Sequence, residues 1–378
     1  MPFPSSPKAL VVDAFCVLLA GGQGTRLHEL TSTECKPAVA FAGGKLVDFT
    51  VANVMRSGMA QLLVATQYLP DSLVRHLASE WRHQFPGGLE IRDGCRLRPG
   101  GYRGTADAVR ANLAEIAASG ANEILVLSAD HVYQMDYRAM IEGHRAAGAK
   151  VTVAVDRVPL AQASSFGVLS ADGDGWVTDF TEKPARPRPA QEDPTRALVS
   201  MGVYVLDRRW LSALLAAEED MNDFGQDVLP EAVRQGWAQV YCPSSDSQGA
   251  FYWRDVGTLD SYRLAQLDFL DPAKTPIAMP TATVRPSRQM LQAAESGSIL
   301  LPGARLGYRA RVKQAILAPG SYVPDGLAIG EDPEEDRRWF RVTCNGTSLV
   351  TPAMLEQYRE ERPRFHMVAL PFLVPRNC

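Results

Sequence analysis

The stretch "LAGGQGTRLHELTSTECKPAV", residues 19–39, sets Gly21, Gly22 and Gly24 behind an apolar run and follows them with Arg26 and Lys36. A glycine-rich turn leaving a strand can bring several backbone N–H groups close to a phosphate, because no Cβ blocks the approach. The common phosphate templates do not fit. A Walker A loop needs Gly-Lys-Ser/Thr after its fourth variable position, and the dinucleotide fingerprint needs a glycine where Leu27 stands. The pattern is therefore a different anion loop, with two cations in place of the P-loop lysine.

Such a loop needs a strand behind it and neighbours beside it. "AFCVLLA" reads as that strand, and short apolar strands then alternate with amphipathic helices. "LVDFTVANVMRSGM", "DSLVRHLASEWRHQF", "ADAVRANLAEIAASG" and "DYRAMIEGHRAAGA" read as helices. "AQLLVATQY", "NEILVLSADHVY" and "KVTVAVDRV" read as strands. This alternation predicts a mostly parallel sheet covered on both faces, with ligands at the carboxyl ends of the strands. Gln67 follows "LLVAT" and Asp130 follows "ILVLSA", so both share an edge with the glycine loop. Gln67 is placed to offer a donor and an acceptor to a base edge. Asp130 suits a metal better than a turn or a helix cap, whereas Asp255 in "WRDVGT" suits a helix cap on sequence alone. From residue 160 the pattern turns hairpin-like, "FGVLSADGDGWVTDFTEKP" suggesting a substrate-covering lobe.

A Pro-rich linker, "DPAKTPIAMPTATVRPS", precedes a change of texture. Leu300, Leu306 and Val312 recur every six residues, and Leu317, Val323 and Ile329 do so after a one-residue slip. A six-residue period marks a β-helix of about two coils, with an irregular β segment as the competing reading.

Composition narrows the partners. The 378 residues are enough for two domains, with 46% hydrophobic and 22% charged content typical of globular chains. A net charge of −4 argues against nucleic acid or an anionic membrane as partner. The six cysteines show no metal-ligand spacing and read as the reduced thiols of a cytoplasmic enzyme. "ALVVDAFCVLLAGG" is broken by Asp13 and reads as a strand rather than a leader. No run reaches the roughly 18 apolar residues of a membrane span.

Ten segments in order, "LAGGQGTRL", "KPAV", "TQY", "YRGTADAV", "ADHVY", "FGV", "EKP", "SMGVYV", "DFGQDVLP" and "YWRDVGTLDSY", resemble the ADP-glucose pyrophosphorylases (glucose-1-phosphate adenylyltransferases) of bacterial glycogen synthesis. The resemblance implies an α/β, Rossmann-like nucleotidyltransferase domain with a mostly parallel mixed sheet, followed by a short left-handed β-helix. The boundaries it suggests are 9–272 for the catalytic domain, 273–296 for a linker, 297–346 for the β-helix and 347–378 for a tail. The implied reaction joins ATP and glucose 1-phosphate into ADP-glucose and pyrophosphate, with Mg²⁺ as cofactor and a homotetramer as the assembly. The implied catalytic residues are Arg26, Lys36 and Asp130. Leu19, Gly21, Gly22, Gly24, Thr25, Gln67, Gly104 and Thr105 would bind the nucleotide. Tyr102, Arg103, Gly167, Glu182, Lys183 and Ser200 would bind the sugar phosphate, and Asp130 and Asp255 the metal. On residue type alone, Arg103 is also a surface arginine, Glu182–Lys183 a solvated pair, and His28 and His131 histidines with no catalytic task.

Some positions depart from the family pattern. Thr33 and Glu34 stand where two cations are usual, "FAGGKLVDF" lacks an arginine, Gly101 replaces a Trp, Gln226 replaces a Lys, and the β-helix is short. Glu34 puts an anion where anionic ligands would approach. The residues favour an active enzyme with altered regulation. A related enzyme for another sugar 1-phosphate or nucleotide, and a catalytically silent regulatory subunit, are the alternatives.

Overall fold

A computed structural model of the protein describes residues 14–243, 251–271, 274–281 and 285–366, with side chains to residue 361. The expected N-terminal arm at residues 1–8 lies outside the described residues, as does the end of the apolar tail from residue 367. The described chain divides into two compact units. One takes its residues from Met1–Val39, Lys45–Asp255 and Ile277–Thr281, the other from Ala40–Gly44, Val256–Pro276 and Ala282–Cys378.

The first unit is built on nine strands: β1 Ala14–Ala20, β2 Leu62–Thr66, β3 Leu89–Asp93, β4 Glu123–Ser128, β5 Val151–Pro159, β6 Gly167–Ala171, β7 Val177–Glu182, β8 Arg196–Asp207 and β9 Ala238–Tyr241. They run in the order β7-β6-β8-β4-β1-β2-β3, with β5 pairing β8 and β9. β4, β1, β2 and β3 are mutually parallel, while β8 runs antiparallel to β4, β5 and β6. Alternation sorts the apolar side chains onto two faces. Cys16, Leu18, Leu62, Val64, Leu125 and Leu127 join one buried cluster; Phe15, Val17, Leu63, Ala65, Ile124 and Val126 join the other. The sheet is therefore covered on both sides. Its parallel strands point their carboxyl ends at one edge.

Two expectations change here. The hairpin β6–β7 is not a separate lobe but the edge of the main sheet, closed by a turn in which Asp172 Oδ1 accepts from the N–H groups of Asp174 and Trp176. "ADAVRANLAEIAASG" forms two helices, Thr105–Arg110 and Leu113–Ala118, rather than one. The break lies at Asn112, whose buried amide donates to Ala108 O and to Tyr102 Oη and accepts from Arg92 Nε, competing with the helical ladder. The helix Leu259–Asp268, at the end of the expected 9–272 domain, packs within the second unit. Asp260 accepts from Thr343, Asn345 and Thr347, and Arg263 donates to Thr347 and Gly297 O.

The second unit contains the β-helix. The six positions spaced along the sequence fall on short strands that pair in parallel: Leu300 with Leu317, Leu306 with Val323, Val312 with Ile329. Five of the six are buried, and Leu306 is partly so. A third coil contributes one side, Ser348–Val350, paired with Ala315–Leu317, so the segment from 347 opens with a buried strand and continues as the helix Pro352–His366. The expected linker 273–296 likewise contains a helix, Arg288–Glu295. Both ends of the stack are covered. Gln289 exchanges two hydrogen bonds with Leu306, its amide replacing a neighbouring strand, and Leu355 and Tyr358 pack on Phe340 and the last coil. No helix of the described residues is long and apolar enough to cross a membrane.

Candidate active site

The glycine loop leaves β1 at the carboxyl edge. Gly24 has φ +67°, and a Cβ there would lie 2.6 Å from Lys36 Cβ, so this position needs glycine twice over. Gly21 packs on Gln67, whereas nothing comes within 4 Å of a Cβ at Gly22. Leu19 is tied to the end of β4 by the Ala129 N–H donating to its carbonyl. Thr25 and Arg26 open the short 3₁₀ segment Thr25–Thr31; both are exposed, and no described residue pairs with Arg26. A ring of N–H groups with a free guanidinium beside it can receive a polyphosphate.

Lys36 sits on a single turn, Lys36–Ala38, and is buried. Its Nζ donates to Asp130 Oδ2 at 2.6 Å and lies 3.7 Å from Asp255 Oδ1. Ser128 donates to the other Asp130 oxygen at 2.8 Å. Burial alone would raise the Asp130 pKa. The Lys36 cation, His131 and the bonds from Lys36 and Ser128 outweigh it and hold the carboxyl well below the usual range. Asp255 reaches the site on a two-strand ribbon, Trp253–Asp255 against His131–Tyr133, in which Asp255 faces His131. The helix-cap reading of Asp255 gives way, since Thr258 caps the following helix through a capping box with Ser261.

The ribbon brings in a residue the sequence reading set aside. His131 donates through Nδ1 to Met201 O (3.0 Å), while Nε2 lies 3.6 Å from Asp130 Oδ1 and 3.7 Å from Asp255 Oδ1. The three side chains form a group that could hold a cation. His28, in contrast, stands exposed at a kink with φ +51°.

Beside this group lie the remaining sites. Lys183 has φ +45°, is exposed, and bonds Glu182 at 2.7 Å. A Cβ on Gly167 would meet Phe180 at 2.6 Å and Glu182 Oε2 at 2.9 Å, so Gly167 makes room for its neighbours in the fold. Ser200 is buried and accepts from Gly202 N–H, and its hydroxyl meets Tyr204 Oη at 3.2 Å. Tyr204 stacks on Phe224. Trp253 packs on Phe166 and His131, and its buried Nε1–H has no partner among the described residues. An orphaned donor in such a place points to a ligand acceptor. Trp253 precedes Asp255 by two residues and so shares its strand face, which is the one sequence signal that marks it.

Two expected binding segments already carry bonds within the protein. Gln67 Oε1 accepts from Tyr102 N–H, which leaves its second lone pair and its NH₂ for a base. The segment Tyr102–Thr105 is held largely by its own bonds. Tyr102 is buried and donates to Arg92 O, and Arg103 bonds the buried Asp107. Gly104 abuts Asn222 O, and Thr105 donates to Asp223. Asp223 caps the turn at Phe224–Val228, and Gly225 of that turn abuts Glu182. The four residues thus brace the sugar-side loop, with the Arg103 guanidinium half-exposed.

Glu34 is likewise not a bare anion. Its Oε2 accepts from Lys45 Nζ at 3.1 Å and from Ser72 at 2.9 Å, and Lys45 also donates to Ala38 O at the end of the Lys36 turn.

Residues 15–271 match the nucleotidyl transferase family, and residues 285–350 match the GlmU-like C-terminal hexapeptide family. A glucose-1-phosphate adenylyltransferase of Albidiferax ferrireducens is 37% identical over 404 aligned positions, spanning 91% of this chain and 96% of its own. That of Bradyrhizobium diazoefficiens is 34% identical, spanning 93% and 98%. Glucose-1-phosphate adenylyltransferase 2 of Pseudoalteromonas atlantica is 35% identical, spanning 94% and 98%.

Proposed function

The chain belongs to the glucose-1-phosphate adenylyltransferase family, and from that premise we propose that it transfers the adenylyl group of ATP to glucose 1-phosphate, giving ADP-glucose and pyrophosphate. The observation that carries the reading is the Lys36 ammonium set between Asp130 and Asp255, on a side chain whose root packs against Gly24. In this reaction a sugar-phosphate oxygen attacks the α-phosphorus in line. The protein's task is positioning and charge neutralisation.

Gly21, Gly22 and Gly24 present N–H groups to the triphosphate, with Arg26 free to take its outer oxygens. Lys36 neutralises charge next to the reacting phosphorus. Lys183 takes the phosphate of the sugar, and Glu182, Ser200 and the orphaned Trp253 Nε1–H are the groups for hexose hydroxyls. Asp130 and Asp255 offer carboxylate oxygens suited to Mg²⁺, which when bound stabilises the negative charge of the departing pyrophosphate. The Gln67 NH₂ favours a base with a ring acceptor on its pairing edge, as adenine has. The family resemblance also leads us to propose a cytoplasmic homotetramer.

A pyrophosphate-release assay across a small matrix of nucleotides and sugar 1-phosphates tests the reading. ATP with glucose 1-phosphate is expected to give the highest kcat/KM, and Asp130→Asn to lower turnover by orders of magnitude with the fold intact. A different best pair refutes the substrate assignment, and no release with any pair refutes the activity.

A further inference from the structure

We propose that His131 is the third donor of the divalent-cation site, presenting Nε2 to the ion beside one oxygen each from Asp130 and Asp255. The inference deepens the two-aspartate reading and rests on it.

The orientation of the ring carries the argument. Nδ1 faces the Met201 carbonyl at 3.0 Å, and a carbonyl can only accept, so Nδ1 is the donating nitrogen. The ring edge also packs against Trp253, at 5.4 Å and 88°, and the side chain is only 12% exposed. Nε2 is thereby aimed between Asp130 Oδ1 and Asp255 Oδ1. Protonated, Nε2 pairs with the two carboxylates; unprotonated, it turns a lone pair on them, and a cation held by all three atoms then takes the proton's place. Metal-ligating histidines characteristically give their other N–H to a backbone carbonyl, as His131 does.

The spacing fits as well. Nε2 stands 3.6 and 3.7 Å from the two oxygens, and all three donors lie within 4.8 Å of one another. Metal–donor bonds of about 2.0–2.2 Å put adjacent donors about 3.0 Å apart at 90° and about 3.5 Å apart at 110°, so the three donors would close by roughly half an ångström around an octahedral ion. Lys36 engages Asp130 through Oδ2, and Oδ1, which accepts from Ser128 at 2.8 Å, keeps a further lone pair for the ion on the side where His131 stands.

The donor set has a consequence for ion choice. Mg²⁺ prefers oxygen ligands in a near-ideal octahedron, whereas Mn²⁺ accepts imidazole readily. The site is therefore expected to hold Mn²⁺ at least about tenfold more tightly than Mg²⁺, with His131 responsible for most of the difference.

The test reads the metal and not turnover. The full chain, without nucleotide, is titrated with Mn²⁺ followed by the electron paramagnetic resonance of the free ion. Pulsed resonance then looks for nitrogen coupled to the bound ion, in protein grown with ¹⁴N- or ¹⁵N-histidine. The expected result is one tight site whose nitrogen coupling changes with the isotope. His131→Leu should remove the coupling and weaken Mn²⁺ by about tenfold or more, while moving Mg²⁺ competition by less than about twofold. His131→Gln serves the same purpose if the leucine variant does not fold. Mn²⁺ binding that Asp255→Asn abolishes, but that shows no nitrogen coupling and no dependence on His131, overturns the inference and leaves the two-aspartate reading standing. Absence of any site sensitive to Asp130 or Asp255 overturns both.

Discussion

Adding one methyl group at Gly24, and one at Gly22, separates what the glycine loop does for the fold from what it does for the ligand. Gly24→Ala places a β-carbon at φ +67°, which costs about 1–2 kcal/mol for an L-residue. The same carbon falls 2.6 Å from Lys36 Cβ, whereas ordinary carbon contacts begin near 3.5 Å, so the two segments must part by about 1 Å. Overpacking of this kind costs about 1–3 kcal/mol more. The expected loss in urea unfolding is thus about 2–5 kcal/mol. Because the displaced residue is Lys36, whose ammonium sits between Asp130 and Asp255, kcat should fall by about a hundredfold, the cost of a misplacement of about 1 Å at a reacting centre. Gly22→Ala meets nothing within 4 Å, so its stability should change by less than about 0.5 kcal/mol. Its KM for ATP should nevertheless rise, because no described residue meets the new methyl group and the proposed triphosphate would. Wild-type kcat and stability in Gly24→Ala refute the steric argument. An unchanged KM for ATP in Gly22→Ala refutes the loop as a phosphate cradle.

Lys183→Ala should raise the KM for glucose 1-phosphate well above any rise for ATP, and equal rises in initial-rate kinetics would show the residue to be misplaced. His144 is buried against Thr152, and burial pushes its pKa down from 6.5 to about 4. Protonation therefore favours the unfolded chain. The stability contributed by neutral His144 is whole above about pH 6.5 and declines as pH falls toward 4, by about 3 kcal/mol at the lower end. His144→Gln should flatten urea-midpoint data over that window, and an unchanged slope rejects the assignment. Fructose 1,6-bisphosphate at millimolar concentration should change the rate by less than about twofold, because Lys45 is already engaged by Glu34, Ser72 and Ala38 O and each lost charge-assisted contact weakens an anion site about tenfold or more. Strong activation at low micromolar concentration refutes this.

What the sequence made legible was local. Apolar strands ending at Gly21 and Asp130 announce a parallel sheet with a polar edge, and the spacing of Leu300, Leu306 and Val312 announces a coil. What it hid depends on partners far away. His131 is oriented by the carbonyl of Met201, seventy residues on, and nothing near either residue foretells the bond. Gln67 Oε1 is oriented by the backbone of Tyr102, and Glu34 pairs its charge with Lys45. The helix Leu259–Asp268 looks like the end of the first domain until Asp260 and Arg263 are seen to bond Thr343, Asn345 and Thr347. Types of side chain could be read from the sequence; their commitments to one another could not.

The strands of the first two coils of the second unit pair at a constant offset of seventeen residues: Ile299 with Ile316, Arg305 with Tyr322, Arg311 with Ala328. Two sides of the coil advance by six positions and the third by five, and the short step turns at Gln314, whose φ is +48°. The unit therefore has a natural length for growth. A tandem duplication of residues 299–315, seventeen in all, would hand each new side chain to the inward position its template held, while an eighteen-residue duplication would rotate every following strand out of phase. Gln289 at one end and the helix Pro352–His366 at the other would close the longer stack as they close this one, since both touch only the outermost turns. Lengthening is thus open from within the coil, and among the described residues Gln289 and the closing helix stand at its two ends.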